Sequence, residues 1–425
     1  MGFYRRVTVD GAAAEAVDAV WRIESARIVA GVARIVRDVG LAEELAGDAL
    51  VAALEQWPES GVPKNPGAWL MAIAKRRAID LIRRKDTYQR KLQEMGHELE
   101  LDGESVEDDV EAILEDTIED DLLRLVFTAC HPVLTMDARV TLTLKLLGGL
   151  KTDEIARAFL APESTIAQRI VRAKRNLAKA EVGFEVPAGP ELLDRLGSVL
   201  EVVYLIYNEG YSATAGDDWM RPTLCNEAMR LGRLLAELMP EEPEVHGLLA
   251  LMELQSSRAN ARVGPDGEPV LLLEQDRRRW DRLLINRGLA GLDRAWALDK
   301  PPGPYLVQAA IAACHARAAD PDDTDWARIA GLYAVLAQLV PSPVVELNRA
   351  VAISMASGPA QGLEAVDALA DEPSLKDYHL LPSVRGDLLF KLGRFDEARK
   401  EFEKAAGLTR NERERTLLLE RAAAC

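Results

Sequence analysis

Along most of the chain, apolar residues recur at intervals of three and four positions, as in the run from Ile28 to Val39. That is the period of a helix with one buried face. Good helix formers, chiefly Ala, Leu, Glu and Arg, dominate the composition. Only Asp266-Gly267, between the apolar segments 261–263 and 270–273, suits strands, and a plain loop fits there equally well. The pattern therefore predicts an all-α fold.

The first of two basic amphipathic segments follows the helix-breaking residues Pro63 and Pro66, and a helix is predicted from Gly67 to Lys85. Its apolar stripe comprises Leu70, Ile73, Ala74, Ala78 and Leu81. The other side carries Lys75, Arg76, Ile79 and Arg83, with Trp69 at the start of the helix. Residues 62–91 hold nine Lys/Arg against two Asp/Glu. A solvated basic face is the ordinary explanation, but this density beside an aromatic ring favours contact with a phosphate backbone whose bases are stacked or separated.

The second basic segment has the spacing of a helix-turn-helix. Thr152 is predicted to cap a first helix over 153–159, residues 160–162 form the turn, and a second helix runs to about Lys179. The predicted buried stripe is Ile166, Ile170, Ala173 and Leu177. Opposite lie Ser164, Gln168, Arg172 and Arg175, with Thr165 and Arg169 on a flank. Early hydroxyl and amide groups followed by guanidinium groups suit a reader of the major groove, whereas the alternative is a helical hairpin without a DNA role.

Charge is distributed in patches along the 425 residues. The formal net charge is −17, yet the second basic segment, 139–180, holds nine Lys/Arg against three Asp/Glu. Between the patches, residues 98–121 hold thirteen acidic side chains and no basic one. We interpret that run as a solvated linker. The alternative is an electrostatic decoy that covers the basic surfaces or follows a positive channel on a partner.

Several function classes find no support in the sequence. No uncharged apolar run resembles a signal segment or a membrane span, so we expect a cytoplasmic protein without membrane contact. The four cysteines, Cys130, Cys225, Cys314 and Cys425, form no Cys-x-x-Cys pair, so neither a disulfide framework nor a zinc site is predicted. Carboxylates beyond residue 185 are scattered, without a phosphate loop or a nucleophile elbow. We expect no cofactor, no metal and no enzymatic activity.

The two basic segments carry a resemblance to a known family. Residues 15–92 resemble the second conserved domain of bacterial RNA polymerase sigma factors of the extracytoplasmic-function group, and residues 121–180 resemble the fourth. Within the former, Asp38 to Leu50 is similar to the segment that docks on the polymerase clamp, and Pro66 to Arg84 to the segment that melts the promoter. Gly47 and Arg77 depart from the family, which often has Gln and Asn there.

The resemblance implies roles for individual residues. Polymerase binding falls to Leu41, Glu44, Leu45 and Asp48. DNA binding in the first basic segment falls to Trp69, Lys75, Arg76, Arg83 and Arg84. In the second it falls to Ser164, Thr165, Gln168, Arg169, Arg172 and Arg175.

More than half of the chain follows these two regions. Tyr378 to Ala398 resembles a tetratricopeptide repeat, and a weaker copy lies thirty-six residues earlier, where Arg349-Ala350-Val351-Ala352 matches Arg385-Gly386-Asp387-Leu388. The stretch from Val202 to Tyr211 is interpreted as a core helix with a glycine cap. Alternatively Tyr207, Asn208, Glu209 and Tyr211 form a regulatory contact with the sigma domains or with a small ligand. The chain resembles the sigma subgroup with a long helical extension, which implies control of activity by that extension.

These observations predict five segments: a sigma domain over 1–92, an acidic linker over 93–120, a second sigma domain over 121–182, a helical extension over 183–300 and repeats over 301–425. The predicted function is that of a sigma factor that binds core RNA polymerase and promoter DNA, with a protein or small-ligand partner for the extension. A free-standing helix-turn-helix regulator is the alternative, followed by an enzyme fused to a DNA-binding domain.

Overall fold

The computed structural model describes residues 11–94, 118–159, 161–211, 220–264, 270–409 and 411–425. Their regular structure consists of α-helices and short 3₁₀ turns, which confirms the all-α prediction. None of the helices within these ranges is long and apolar enough to cross a membrane. The chain divides into two compact units, Met1–Val202 and Val203–Cys425.

The first unit contains seven complete helices and part of an eighth. They are α1 (Gly11–Val36), α2 (Val39–Ser60), α3 (Pro66–Glu94), α4 (Ile118–Ala129), α5 (Met136–Leu146), α6 (Thr152–Ala158), α7 (Glu163–Lys179) and α8 (Pro190–Tyr211). The boundary between the two units falls within α8.

The helices α1, α2 and α3 pack together, and we call them the first bundle. Small side chains such as Ala33, Ala46 and Ala74 are fully buried there, which lets the helices approach closely. α2 begins where the Asp38 carboxylate accepts a hydrogen bond from the Leu41 N–H at 3.0 Å. α3 begins in the same manner at Asn65 and extends past its predicted end to Glu94.

The second bundle comprises α4 to α7 and residues 190–202 of α8. Its helix-turn-helix is present, but Thr152 is the first residue of α6 and not its cap, which corrects the prediction. Lys151 precedes the helix, and the Glu154 carboxylate accepts a hydrogen bond from its backbone N–H at 2.8 Å. Glu154 thus satisfies a backbone donor that has no partner within the helix. α7 then begins directly after Pro162; Leu160 lies outside the described residues.

Residues 190–202 belong to the second bundle through specific contacts. The Arg195 guanidinium donates to the Phe127 carbonyl at 2.8 Å, and the Ser198 hydroxyl donates to the Cys130 carbonyl at 3.0 Å. Arg139 donates in turn to the Ser198 hydroxyl at 2.8 Å. The body that includes the helix-turn-helix therefore continues beyond residue 182, where the sequence suggested a boundary.

The second unit is a succession of helices that contact their neighbours in sequence. They are α9 (Pro222–Leu238), α10 (Pro243–Ser256), α11 (Arg282–Ala297), α12 (Pro304–Arg317), α13 (Trp326–Leu339), α14 (Pro343–Ser357), α15 (Pro359–Asp367), α16 (Leu380–Lys391), α17 (Phe395–Leu408) and α18 (Glu412–Ala423). From α12 onward each helix packs on the next, as in helical repeat proteins, whereas α10 packs on α12 as well as on α11.

The segment with the strongest repeat resemblance forms the hairpin α16–α17. Gly393 lies in the turn with φ +75°, a conformation that favours glycine. Gly386 of α16 faces α17 so closely that a Cβ atom would lie 3.0 Å from the Phe402 ring. The weaker copy lies in α14, where Ala350 is buried and α15 completes a second hairpin.

Two local expectations need correction or refinement. Gly210 is not a helix cap, because α8 includes it and continues to Tyr211. A Cβ there would lie 2.6 Å from the Cys225 nitrogen, so this glycine permits close approach of α9. Asp266 and Gly267 lie outside the described residues; their flanks carry 3₁₀ turns at Ala259–Ala261 and Leu272–Glu274. The described flanks contain no strand longer than one residue and therefore fit the loop alternative.

Candidate nucleic-acid interface

The second helix of the helix-turn-helix, α7, has one buried apolar face and one exposed polar face. All four residues of the predicted buried stripe are buried, which confirms that part of the prediction. The side chains that are exposed on the helix include Ser164, Thr165, Gln168, Arg172 and Arg175. Their hydroxyl, amide and guanidinium groups therefore lie on a surface that a DNA groove could reach. Their contacts with DNA stay a prediction.

Arg169 differs from these neighbours because it is half-buried. Its guanidinium lies 3.1 Å from a carboxylate oxygen of Asp137 on α5. An ion pair of this kind holds the side chain against its own bundle. Arg169 shares its guanidinium with Asp137, whereas Gln168 and Arg172 are exposed without such a pair.

On α3, the predicted DNA-binding residues Arg76, Arg83 and Arg84 are exposed. Trp69 is half-buried, and its ring meets the Trp57 ring edge-on at a centroid distance of 5.5 Å. Trp57 itself is buried in the first bundle. The start of α3 therefore presents an anchored aromatic ring, while three guanidinium groups follow along the helix.

Lys75 does not share this exposed surface, contrary to the sequence-based assignment of the outer face. Its side chain is half-buried and faces Gly31 of α1, near Arg34 and Asp121. Burial and the Arg34 charge lower the pKa of Lys75, against the opposite effect of Asp121. At 100° per residue Lys75 lies on the border of the apolar stripe, and the approach of α1 decides its environment. This placement disfavours Lys75 as a phosphate contact.

The residues predicted to bind polymerase lie on α2 and differ in accessibility. Glu44 and Asp48 are exposed, Leu41 is half-buried and Leu45 is buried in the bundle core. Leu45 could thus affect docking only indirectly, through the packing of α2 in the first bundle. Asp48 pairs with Arg77 of α3 at 2.9 Å, which accounts for arginine at a position where the resemblance leads to Asn.

Ion pairs join the two bundles, and sequence periodicity gave no sign of them. Glu43 of α2 pairs with Lys174 of α7 and lies 3.6 Å from the amine of Lys145 on α5. These three side chains are each about four-fifths buried, because Glu43 is 18% exposed, Lys174 21% and Lys145 23%. In a pair shielded from water to this extent, the loss of hydration offsets much of the attraction, but removing one partner leaves an uncompensated charge and is costly.

Further ion pairs join the same two bundles. Lys151, directly before α6, pairs with Asp18 of α1 at 2.6 Å, and Glu154 pairs with Arg22. Asp121, the last residue of the acidic run, is buried in α4 within 3.3 Å of Arg34. Residues 98–117 of that run lie outside the described residues. The linker interpretation of the run therefore does not extend to Asp121, which takes part in the packing of α4 on α1.

The stretch proposed as a regulatory contact lies at the end of α8. Tyr207 is fully buried, and its hydroxyl lies 3.1 Å from the Met252 carbonyl and 2.9 Å from the Ser256 hydroxyl. Burial raises the pKa of Tyr207 well above its usual value. Tyr207 is thus a core residue, as the interpretation of this segment as a core helix requires.

Its neighbours are also engaged within the second unit. Glu209 pairs with Arg221, and Asn208 is half-buried. The Tyr211 ring stacks on Tyr207 at 5.5 Å, and the Arg262 guanidinium lies 3.6 Å from the Tyr211 ring centre. A regulatory role for the exposed parts of this stretch stays a prediction.

Three of the four cysteines are packed in the interior of the protein. Cys130, Cys225 and Cys314 are buried, and burial raises the pKa of Cys130 to about 11 and that of Cys225 to about 12. Such thiols react poorly at neutral pH. In the part of the chain that the structure describes, no cluster of three or more His, Cys, Asp or Glu side chains could hold a metal ion.

Comparison with known families agrees with both bundles. The sigma-70 region 2 family matches residues 23–88, and the sigma-70 region 4 family matches residues 124–177. A family of unknown function, DUF6596, matches residues 195–296. The chain is therefore an RNA polymerase sigma factor in which a helical extension follows the two sigma regions.

Two relatives refine this class. The extracytoplasmic-function RNA polymerase sigma factor SigK of Mycobacterium tuberculosis is 29% identical over 152 residues, which cover 36% of this chain and 78% of SigK. An uncharacterized protein of Rhizobium meliloti, R00370, is 44% identical over 383 residues, 89% of this chain and 88% of the relative. The chain belongs to the extracytoplasmic-function type of sigma factors with a C-terminal extension, and as such it directs RNA polymerase to promoters.

Proposed function

We propose that this sigma factor recognises promoter DNA through two separate faces, the exposed side of α7 and the exposed basic side of α3. The observation that carries the proposal is the division of α7, whose four apolar residues are buried while Gln168 and Arg172 are exposed. A helix anchored on one face can enter the major groove with the other. α7 would read base edges in the farther promoter element, and its later arginine Arg175 would contact phosphate.

The α3 face would act on the element nearer the start site. Arg76, Arg83 and Arg84 would hold the phosphate backbone, and the Trp69 ring, anchored on Trp57, would stack against a base of the opened strand. Phosphate contacts contribute affinity without sequence preference, whereas base contacts on α7 contribute discrimination. This division assigns affinity chiefly to α3 and specificity chiefly to α7.

Core polymerase would dock on α2 through Leu41, Glu44 and Asp48. Glu43 on the same helix pairs with Lys174 and Lys145 of the second bundle. Docking along α2 would therefore compete with the contact between the bundles. In this scheme the two bundles are in contact in the free factor and separate when it binds the polymerase. Their separation would let α3 and α7 reach different promoter elements.

Reconstituted run-off transcription tests this function. Core polymerase with the purified chain should initiate at specific promoters, and core polymerase alone should not. If the chain binds promoter DNA equally well without polymerase and adds no initiation, it acts as a free-standing regulator instead.

The extension would control this activity as a non-enzymatic, tetratricopeptide-like helical array in the cytoplasm. Helical repeats offer binding surfaces and have no catalytic role by themselves. A truncation tests this role, and it belongs after Val202, because a cut after Val182 would remove Arg195 and Ser198 from the second bundle. Transcription should change several-fold while circular dichroism shows folded helices. Identical transcription by folded truncated and full-length protein would contradict regulation by the extension.

A further inference from the structure

The second unit contains a cavity of about 410 Å³ among α8, α10, α12, α13 and α14. This volume lies within the range of small-molecule sites in proteins. None of its lining residues belongs to α2, α3 or α7, and no function described above uses it. All of its lining residues belong to the second unit.

Its walls combine aliphatic side chains with three aromatic rings, Tyr204, Trp280 and Tyr333. Trp280 is 4% exposed, and Tyr204 is held by an edge-on contact with Tyr305 at 5.3 Å. The Tyr204 hydroxyl also donates to the Gln308 side-chain oxygen at 3.3 Å. Rings fixed in this manner form flat walls that suit a planar apolar molecule.

Arg258 supplies the positive charge of the cavity. Its guanidinium donates to the Tyr211 hydroxyl at 2.6 Å and lies 5.9 Å from the Trp280 ring centre. None of the residues that line the cavity is acidic, and the hydrogen-bond partner of the Arg258 guanidinium among the described residues is the neutral Tyr211 hydroxyl. The adjacent Arg277 differs, because it donates to the carbonyls of His315 and Ala318 at 2.6 and 2.7 Å. Arg258 thus retains hydrogen-bonding capacity for an anion.

Two further polar groups of the lining residues are unsatisfied. The Trp280 Nε1 atom and the His315 Nδ1 atom are both buried, and neither has a hydrogen-bond partner among the described residues. Burial, with the charges of Arg258 and Arg277, lowers the pKa of His315 to about 4, so its ring is neutral at pH 7. A buried indole N–H without an acceptor is costly unless a ligand supplies one.

We propose that this cavity binds a small aromatic monocarboxylate, whose carboxylate contacts Arg258 and the Trp280 N–H while its ring lies against the aromatic walls. The single cation matches a single negative charge, and the apolar volume matches a planar body. The bound carboxylate would be a chemical signal to which the extension responds. Binding itself is independent of whether the extension regulates transcription, so the test uses no transcription readout.

The test uses the full-length chain with benzoate, 3-phenylpropanoate and 2-naphthoate as probes, each paired with its neutral amide. Ligand-observed saturation-transfer NMR detects binding, and calorimetric titration compares affinities. At least one carboxylate should bind at least tenfold more tightly than its amide. The variant Arg258→Gln should remove this preference, and Trp280→Phe, which keeps a ring but lacks the N–H, should reduce it several-fold.

Arg279→Gln is the matched control, because Arg279 is exposed on the same segment and does not line the cavity. It should bind the probes as the unmodified chain does. Absence of saturation transfer to all three carboxylates at millimolar concentration would overturn the proposal. Equal affinity for acid and amide, or equal losses in Arg258→Gln and Arg279→Gln, would do the same.

Discussion

Gln168 and Arg172 lie four residues apart on α7, so they share one exposed face, one turn above the other. Both are exposed without a contact that would need to break before they meet DNA, in contrast to Arg169 with its Asp137 pair. This difference ranks the residues of the reading face. Gln168 and Arg172 are the first candidates for base contact, and Arg169, whose charge is partly neutralised by Asp137, ranks after them.

Replacing Gln168 or Arg172 by Ala should lower discrimination in the farther promoter element by about 1–3 kcal/mol, since each would lose a base contact. Competition binding of the polymerase complex to a promoter library measures the change. Asn176→Ala should leave the preference intact. Unchanged preference in both Gln168→Ala and Arg172→Ala would place the reading surface elsewhere.

His315 should make the stability of the second unit dependent on pH. Its folded-state pKa is about 4, chiefly because burial disfavours the charged ring, and an unfolded histidine titrates near pH 6.5. The unfolded chain therefore binds the proton at higher pH than the folded chain does. The stability that this neutral histidine provides is complete above about pH 6.5 and is lost as the pH falls towards 4.

Between pH 7 and pH 5 the loss due to His315 should be about 2 kcal/mol of unfolding free energy. Urea unfolding of the full chain and of His315→Gln at both pH values measures it. Between these pH values His315→Gln should lose about 2 kcal/mol less unfolding free energy than the unmodified chain, because the other titrating groups are common to both proteins. A pH dependence that the substitution leaves unaltered would contradict burial of His315 as a neutral ring.

At the scale of helices, α10 organises the start of α12. The Glu244 carboxylate accepts hydrogen bonds from the Tyr305 and Leu306 N–H groups at 2.8 and 3.0 Å. It thereby caps α12 from another helix and places a negative charge at its positive end. Close approach of the two helices depends on Gly247, where a Cβ atom would lie 2.7 Å from the Leu306 backbone.

Gly247→Ala should destabilise the second unit by about 1–3 kcal/mol, because backbone atoms cannot move aside as a flexible side chain does. Gly331→Ala is the matched control: Gly331 lies within α13, and nothing lies within 4 Å of an added Cβ. That change should increase stability by about 0.5–1 kcal/mol, since alanine favours the helix. Denaturant unfolding compares the two, and equal effects would contradict the close helix contact.

For the sigma portion as a whole, the contact between its two bundles is the decisive feature. The same α2 helix carries the predicted docking residues and Glu43, which pairs with two lysines of the second bundle. A carboxylate in place of Lys174 would repel Glu43 in a poorly hydrated site. The charge pair therefore offers a means to open the bundles without altering either DNA-reading face.

Lys174→Glu should separate the bundles, whereas Lys174→Arg, which keeps the positive charge beside Glu43, should leave them in contact. Spin labels at the exposed positions Val51 and Val171 report the distance, after Cys425 is replaced by Ser. We expect a longer and broader distance distribution in Lys174→Glu, together with tighter binding of core polymerase.

Lys179→Glu is the control for that experiment, because it makes the same charge change at an exposed position of α7. Its distance distribution should match that of the unmodified chain. If Lys174→Glu leaves the distance unchanged, or if Lys174→Arg lengthens it equally, the ion pair does not hold the bundles together.

The sequence by itself determined the helical fold, the division of α7 into two faces and the order of the two sigma regions. These features depend on local patterns: a period of 3.6 residues decides which side chains share a face, and helix-breaking residues such as Pro162 mark the ends. The resemblance of residues 378–398 to a helical repeat was visible for the same reason, and Gly386 allows close approach of α17 there.

Only the tertiary structure decided the environments of Lys75, Asp121 and Glu43, and the cavity around Arg258. Each depends on which helices approach one another, and residues far apart in sequence meet there, as when Glu43 pairs with Lys174. Amphipathic periodicity tells which face of a helix is buried but not against which partner. A charged residue at the border of that face is solvated or paired according to the neighbour it meets, because desolvation and Coulomb attraction depend on three-dimensional distance.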